Sequence, residues 1–297
     1  MSEPRRVFLV TYDALPGLSD DDRPLLGELW SLGIKAEAAV WDDPKIDWNA
    51  ADAVVIRSTW DYFLKPAAFE AWVERLSAAG APLWNPPAVV RANADKRYLK
   101  DLEARGVTVV PTEWVERGAA ADLDALLASR GWTQAVVKPT VSGNAFRTSR
   151  VARGEAGGQT ALDEVLAHSG AMVQPYLAEI AAEGEWSFIF LGGEFSHAVL
   201  KSPKAGDFRV QEAYGGRTAR VDPPAELLAQ ARAAAAASPG PWLYARVDGV
   251  RRGGGLAVVE VELIEPALYL AHAPGSAARL AAAVMARIPA RGSSPKR

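Results

Sequence analysis

YARVDGVRRGGGLAVVEVELIEP, residues 244–266, is the stretch on which the rest of the chain turns. Two apolar runs flank a glycine cluster, the pattern of an antiparallel hairpin turning at Gly253-Gly254. Side chains alternate across a strand, so Val259, Val261 and Leu263 are expected on one face and Glu260 and Glu262 on the other. With the turn placed there, Asp248 falls opposite residues 258–260 and three carboxylates converge. A Glu-x-Glu strand by itself is most simply a solvated outer face. A third acid across the hairpin adds repulsion that calls for a compensating cation. Oxygen donors without Cys or His nearby favour magnesium, which takes one or two carboxylates and completes its shell with phosphate and water oxygens.

A second hairpin precedes it, WSFIFLGGEFSHAVLK at 186–201, turning at Gly192-Gly193, with a helix expected around 225–238 between the two. Towards the amino terminus the texture changes. RVFLVTY (6–12), KAEAAVW (35–41) and AVVIR (53–57) are buried-type strands, and they alternate with the helical stretches 20–33 and 66–80. This predicts a parallel α/β domain over residues 1–86, closing at Asn85-Pro86-Pro87. A central unit over 87–171 should hold a helix NADKRYLKDLEARG (93–106) capped by Asn93, a strand VTVVPTEWV (107–115), a helix near 120–130 and a strand QAVVKP (134–139). An α+β unit over 172–290 and a flexible tail at 291–297 complete the expected organisation.

Several basic residues fall where an anion could sit. Lys138 ends the strand before Pro139, and its bland reading is a strand-end lysine reaching for solvent. The polar loop TVSGNAFRT (140–148), with Ser142, Gly143 and Thr148, is of the kind whose amides fold over a phosphate, though it has one glycine only. Lys96 lies in a charged helical series, and Arg209 in a glycine-flanked segment. After the strand AVVIR come Ser58, Thr59, Trp60 and Asp61, where open α/β sheets bind ligands. Arg57 is a candidate for a substrate carboxylate and Asp61 for an amino group, unless the two pair with each other. Arg246, two residues before Asp248 on the same strand face, is another carboxylate candidate.

Composition narrows the classes. Of 297 residues none is cysteine, which excludes disulfides, thiolate metal sites and a cysteine nucleophile. The formal net charge of -3 argues against a nucleic-acid partner. Arg5 and Arg6 precede only the short apolar run Val7–Val10, and no stretch reaches the roughly 20 apolar residues that span a bilayer. A cytoplasmic protein without a membrane partner is expected, with oligomeric state open. The histidines, His168, His197 and His272, are scattered without the spacing of a catalytic set.

The order of these features, from basic helix through strand lysine, polar loop, hairpin and arginine to acidic hairpin, resembles the ATP-grasp ligases, in particular the glutathione synthetase and ribosomal-protein glutamate ligase branch. VVIRSTWDY (54–62), WNPP (84–87) and ELIEPALYL (262–270) look most like the cyclo-ligases of cycloserine biosynthesis. The resemblance implies an ATP-grasp fold in which the α/β domain joins two α+β subdomains around the nucleotide. It implies ATP and two Mg2+ ions, with Asp248, Glu260 and Glu262 as metal ligands. Lys96, Lys138, Ser142, Gly143, Lys201, Arg209 and Gln211 would touch the nucleotide, Arg209 and Lys138 serving the transferred phosphate. Gln174, Pro175, Tyr176 and Leu177 would form the adenine hinge, and Glu185, or else Glu179, would take the ribose. The implied activity is activation of a small carboxylate as an acyl phosphate for attack by nitrogen, as in ring closure of O-ureido-D-serine. Intermolecular amino acid or peptide ligation and a non-catalytic nucleotide-binding regulator are the alternatives.

Overall fold

The apolar runs near the amino terminus lie side by side in the computed structural model, which describes residues 3–289. Strands β1 (Arg5–Thr11), β2 (Ile34–Val40), β3 (Ala53–Ser58) and β4 (Leu83–Trp84) form a parallel sheet in the order β2-β1-β3-β4. Every residue of β3 is buried, as a continuous hydrophobic run must be when both faces of a sheet are covered. On one face, Phe69, Trp72 and Leu76 of the helix Pro66–Ala78 pack on Phe8, Val10 and Ile56. The other face is covered by Leu25 and Leu29 of the helix Pro24–Ser31, and also by Leu280 and Val284 of the helix Ser276–Met285, which returns from the far end of the chain.

The central sheet holds β5 (Glu113–Val115), β6 (Gln134–Pro139), β7 (Ser149–Ala152) and β8 (Ala171–Pro175) in the antiparallel order β5-β8-β6-β7. A division between 171 and 172 would cut β8, so the sheets change over after Pro175. The third sheet is antiparallel, β11-β10-β9-β12-β13, from β9 (Glu185–Leu191), β10 (Glu194–Ser202), β11 (Arg217–Val221), β12 (Tyr244–Arg252) and β13 (Gly255–Glu262). Both hairpins turn at the expected glycines, and Gly253 and Gly254 have φ of +60° and +83°, as a two-residue turn matched to strand twist requires. The tail expected at 291–297 lies outside the described residues.

Two expectations fail because β13 is an edge strand whose outer peptide groups need partners. The helix expected over 93–106 is two helices, Pro87–Asn93 and Tyr98–Ala104, and Asn93 is no cap. Its side-chain amide donates to Val261 O at 2.8 Å and its carbonyl accepts from Leu263 N at 2.7 Å, while the Tyr98 hydroxyl serves Val261. The strand expected over 107–115 forms only at Glu113–Val115, because residues before Pro111 pair instead with β13, Val110 N donating to Val258 O and Val258 N to Thr108 O. β13 also carries a bulge. Asp248 faces Glu260 whereas Gly249 faces Val258, so Val259 is the extra residue. Val259 therefore turns to the same side as Glu260, and Val258 takes the core place beside Val261 and Leu263.

Beyond β13 the chain runs without regular structure, and seven consecutive carbonyls, Leu263 to Tyr269, each accept from a side chain. Asn85, Trp60 and Arg57 of the first domain hold Leu263 O at 2.7 Å, Glu265 O at 3.0 Å and Pro266 O at 2.7 Å. Tyr244, Arg246 and His197 of the third sheet hold Ile264, Ala267, and the Leu268–Tyr269 pair. The segment is thus stitched to both sides. Arg57, wholly buried, also pairs with Asp22 at 2.8 Å and lies over the Tyr244 ring. Arg57→Ala should cost about 3–5 kcal/mol of stability by stranding a buried carboxylate, measured by urea unfolding. His197 has a pKa lowered to about 4 by burial and by Arg279 and Arg220, against the pull of the two carbonyls. The folded protein then binds fewer protons than the unfolded chain between pH 6.5 and 4, so stability falls as pH drops through that window. Wild type should lose about 2 kcal/mol more than His197→Gln between pH 7 and pH 5, read from urea midpoints.

Candidate active site

The three sheets meet around a cavity of about 520 Å3. β12 and β13 line one wall, and their register decides which charges meet. Arg246 stands opposite Glu262 and Asp248 opposite Glu260, all four facing the cavity. The three acids are not gathered into a ready metal cage, and no group of three or more Asp, Glu, His or Cys among the described residues is. Each is instead matched by a cation. Asp248 takes Arg246 at 2.8 Å and Lys201 at 3.4 Å, Glu262 pairs with Arg246, and Glu260 holds Lys96 at 3.0 Å. Their protonation diverges accordingly. Burial opposes ionisation of Asp248, but Arg246 and Lys201 prevail and lower its pKa to about 2. Burial pushes Glu262 up to about 7, with Glu260 and Asp248 adding to the effect against Arg246. Hard oxygen donors on one hairpin face, two of them partly open to the cavity, suit magnesium.

The opposite wall is built from β6, β8 and the loop between β6 and β7. Lys138 lines the cavity from β6 and makes no hydrogen bond or ion pair among the described residues. Burial lowers its pKa, Glu260 opposes this, and Lys96 adds to the lowering. A half-buried ammonium without a counter-ion is a waiting anion site. Lys96 is not on a helix as its charged helical series suggests. It sits in the break between two helices, fully enclosed, and donates to Ser142 O at 2.7 Å besides pairing with Glu260. The loop beyond β6 crosses the cavity mouth. Asn144, Ala145 and Arg147 are all left-handed, at φ of +49°, +54° and +50°, and Phe146 packs on Phe63 of the first domain. Strained backbone of this kind costs on the order of 1–3 kcal/mol per residue and marks segments that other contacts hold in place. A Cβ on Gly143 would lie 2.9 Å from the Phe63 ring, so this one glycine is needed where loop and domain touch.

Of the expected nucleotide contacts, Ser142, Gly143, Gln174, Pro175, Tyr176, Leu177, Glu185, Lys201, Arg209 and Gln211 line the same cavity. Tyr176 N already donates to Gln134 O, which leaves the Leu177 amide as the hinge donor without a backbone partner among the described residues. Glu185 is held in the cavity wall by Lys201, whereas Glu179 is outside it, facing Arg252 at 3.4 Å. Arg209 is bidentate to Asp207 and stacks over Tyr214. The carbonyl oxygen of the Gln211 side chain is buried without a partner among the described residues. The cluster expected from the first domain fares differently. Trp60 lines the cavity, but Arg57, Ser58, Thr59 and Asp61 do not. Arg57 pairs neither with a ligand-facing surface nor with Asp61, since Asp22 and the Pro266 carbonyl absorb it. Asp61 accepts from Trp41 and Lys65. The residue that sequence reasoning passed over is Glu265, which lines the cavity within the quoted motif ELIEP. An acid just past a strand reads as a turn, and only the following proline hinted at a fixed position.

This architecture is that of an ATP-grasp ligase. A family described as "D-cycloserine synthetase DcsG, N-terminal domain" matches residues 7–85. The chain is 37% identical over 285 residues to the cycloserine biosynthesis protein DcsG of Streptomyces lavendulae, a match spanning 90% of this chain and 94% of that one. The crystal structure of D-cycloserine synthetase DcsG superimposes with a TM-score of 0.87 at 34% identity, over 96% of this chain and 100% of that one. D-alanine–D-alanine ligase from Bacillus anthracis in complex with ATP shares the fold alone, with a TM-score of 0.66 at 17% identity over 96% of both chains. The chain belongs to the family of the cycloserine biosynthesis protein DcsG, as an ATP-dependent ligase of the carboxylate–amine class. Lys138→Ala should weaken Mg-ATP binding about 10- to 100-fold with no change in fold, checked by calorimetry and circular dichroism.

Proposed function

We propose that this enzyme is a cyclo-ligase that closes an isoxazolidinone ring on an amino-acid-like carboxylate of the O-ureido-D-serine type. One observation carries the reading: a single cavity is faced by the unpaired Lys138 and by Asp248, Glu260 and Glu262 on one hairpin face. The full-length likeness to a cycloserine biosynthesis protein supports the substrate class. In this reading the substrate carboxylate attacks the γ-phosphate of ATP, ADP leaves, and an acyl phosphate forms. A nitrogen of the same molecule attacks the acyl carbon, the C–N bond forms, phosphate departs and the nitrogen gives up its proton.

Attacking group and ATP are both anionic, so the protein's task is charge neutralisation and positioning. Lys138 has the free charge to meet a phosphate, and Arg209 would swing from Asp207 to assist. Asp248, Glu260 and Glu262 would hold magnesium, which neutralises phosphate oxygens when bound. Arg246, released from those acids, becomes available to the substrate carboxylate. The Leu177 amide and Glu185 would take adenine and ribose. The loop over 140–148, packed on Phe63, excludes water from an acyl phosphate that would otherwise hydrolyse. Holding nucleophile and acyl group in one molecule removes the entropy cost of their meeting. ATP as co-substrate places the reaction in the cytoplasm; among the described residues no helix is long and apolar enough to cross a membrane.

Glu260→Gln should reduce turnover by about 100- to 1,000-fold while the thermal melt stays close to wild type, measured as magnesium-dependent ADP release with O-ureido-D-serine. Mass spectrometry of the wild-type product decides the reaction class. A ring derived from one substrate molecule is expected, and a conjugate of two molecules would replace cyclisation by intermolecular ligation.

A further inference from the structure

The reaction as derived gives work to four acids of the cavity, Glu185, Asp248, Glu260 and Glu262, and none to a fifth. Glu265 lines the cavity, half-buried, and unlike those of Asp248, Glu260 and Glu262 its carboxyl makes no hydrogen bond or ion pair among the described residues. The cations that could reach it are committed elsewhere, Lys96 to Glu260 and Ser142 O, and Arg246 to Asp248, Glu262 and Ala267 O. Burial, and then Glu262, hold the Glu265 carboxyl well above the usual carboxylate range. With no cation beside it the carboxyl keeps its proton, and a cation placed there would favour its ionised form.

Glu265 is also held more firmly than a loop acid usually is. Its own carbonyl accepts from Trp60 Nε1 at 3.0 Å, and the carbonyls on either side are taken by Tyr244 and Arg57. Fixing the backbone from both the first domain and the third sheet sets where this side chain enters the cavity, as a recognition group requires. Trp60, Tyr62 and Tyr269 line the cavity with it, and aromatic faces are compatible with an organic ammonium. Nothing of comparable rigidity is needed for a solvated turn.

We propose that Glu265 binds the ammonium group of the amino-acid-like substrate and so selects substrates that carry one. This rests on the ligase reading above and adds to it the group that recognises the substrate. It also has a chemical consequence. An ammonium ion gripped by a carboxylate has no lone pair, so the α-nitrogen cannot attack an acyl phosphate, and the ureido nitrogen bonded to oxygen is left as the nucleophile that closes a five-membered ring. Selection of the amino acid and suppression of peptide formation follow from one contact.

The test is calorimetric titration, in the presence of Mg-ADP, of O-ureido-D-serine and its counterpart without the amino group, 3-(ureidooxy)propanoate. D-serine and 3-hydroxypropanoate form a second pair, so that the choice of side chain does not decide the outcome. Wild type should prefer the amino member of a pair by about 10- to 100-fold, the range of a hydrogen bond between charged groups. Glu265→Gln should bind Mg-ADP as wild type does and lose the preference, and Glu265→Asp should show an intermediate one. Three results overturn the proposal: no preference in wild type for either pair, a preference that survives in both variants, or variants that lose nucleotide and amino acid affinity alike. If wild type shows the preference yet forms no ring by mass spectrometry, the cyclo-ligase reading falls while Glu265 keeps its role.

Discussion

The carbonyl run from Leu263 to Tyr269 is the constraint on which this molecule depends. A chain segment that leaves a sheet edge and enters the interior must find donors for its peptide oxygens, since an unpaired buried carbonyl costs about 1–3 kcal/mol. Here no neighbouring strand supplies them. Side chains from the parallel domain and the antiparallel sheet do so in turn, and in doing so they fasten the two together. Asn85 shows the economy of the arrangement: its one amide group holds Leu263 O and Tyr244 O while its carbonyl accepts from Leu243 N. Arg57 at the end of β3 and Trp60 just beyond it serve this seam, and Trp60 also lines the cavity.

The site itself is a balance of charges that are already satisfied. Three acids on one hairpin would repel one another, yet Arg246, Lys96 and Lys201 neutralise them within the wall. Such pairs contribute little net stability when desolvation is counted. Their value is that ligand charge can be exchanged for side-chain charge without creating an isolated ion. Lys138 and Glu265 stand outside the balance, one cation and one acid without partners among the described residues, at the places where an anion and a cation would enter.

Much of the fold was legible because it follows from periodicity and turns. Continuous apolar runs gave β1 and β3, the paired glycines gave both hairpins, and the position of the second turn put Asp248 against Glu260. Asn93 looked like a helix cap and residues 107–110 like the start of a strand, because local pattern contains no information about an unpaired strand edge far along the chain, 168 residues from Asn93 at Val261. Val259 looked like a core residue because strict alternation does not show the bulge in β13. Arg57 and Asp61 read as substrate contacts because they stand at the carboxyl end of a strand of an open α/β sheet, whereas the buried acid that claims Arg57 is Asp22, thirty-five residues earlier.

What the sequence determined by itself is therefore the set of elements and the chemical inventory: parallel α/β first, antiparallel hairpins later, lysines on the central strand, and acids on the last hairpin with their side-chain direction. These depend on interactions between near neighbours along the chain. Tertiary structure alone decided which charges are spent and which are free, since that is settled by which side chains the packing brings within about 3 Å of one another. It made Arg57 a fastening rather than a ligand, chose Glu185 over Glu179 for the cavity, and left Glu265 facing it uncompensated.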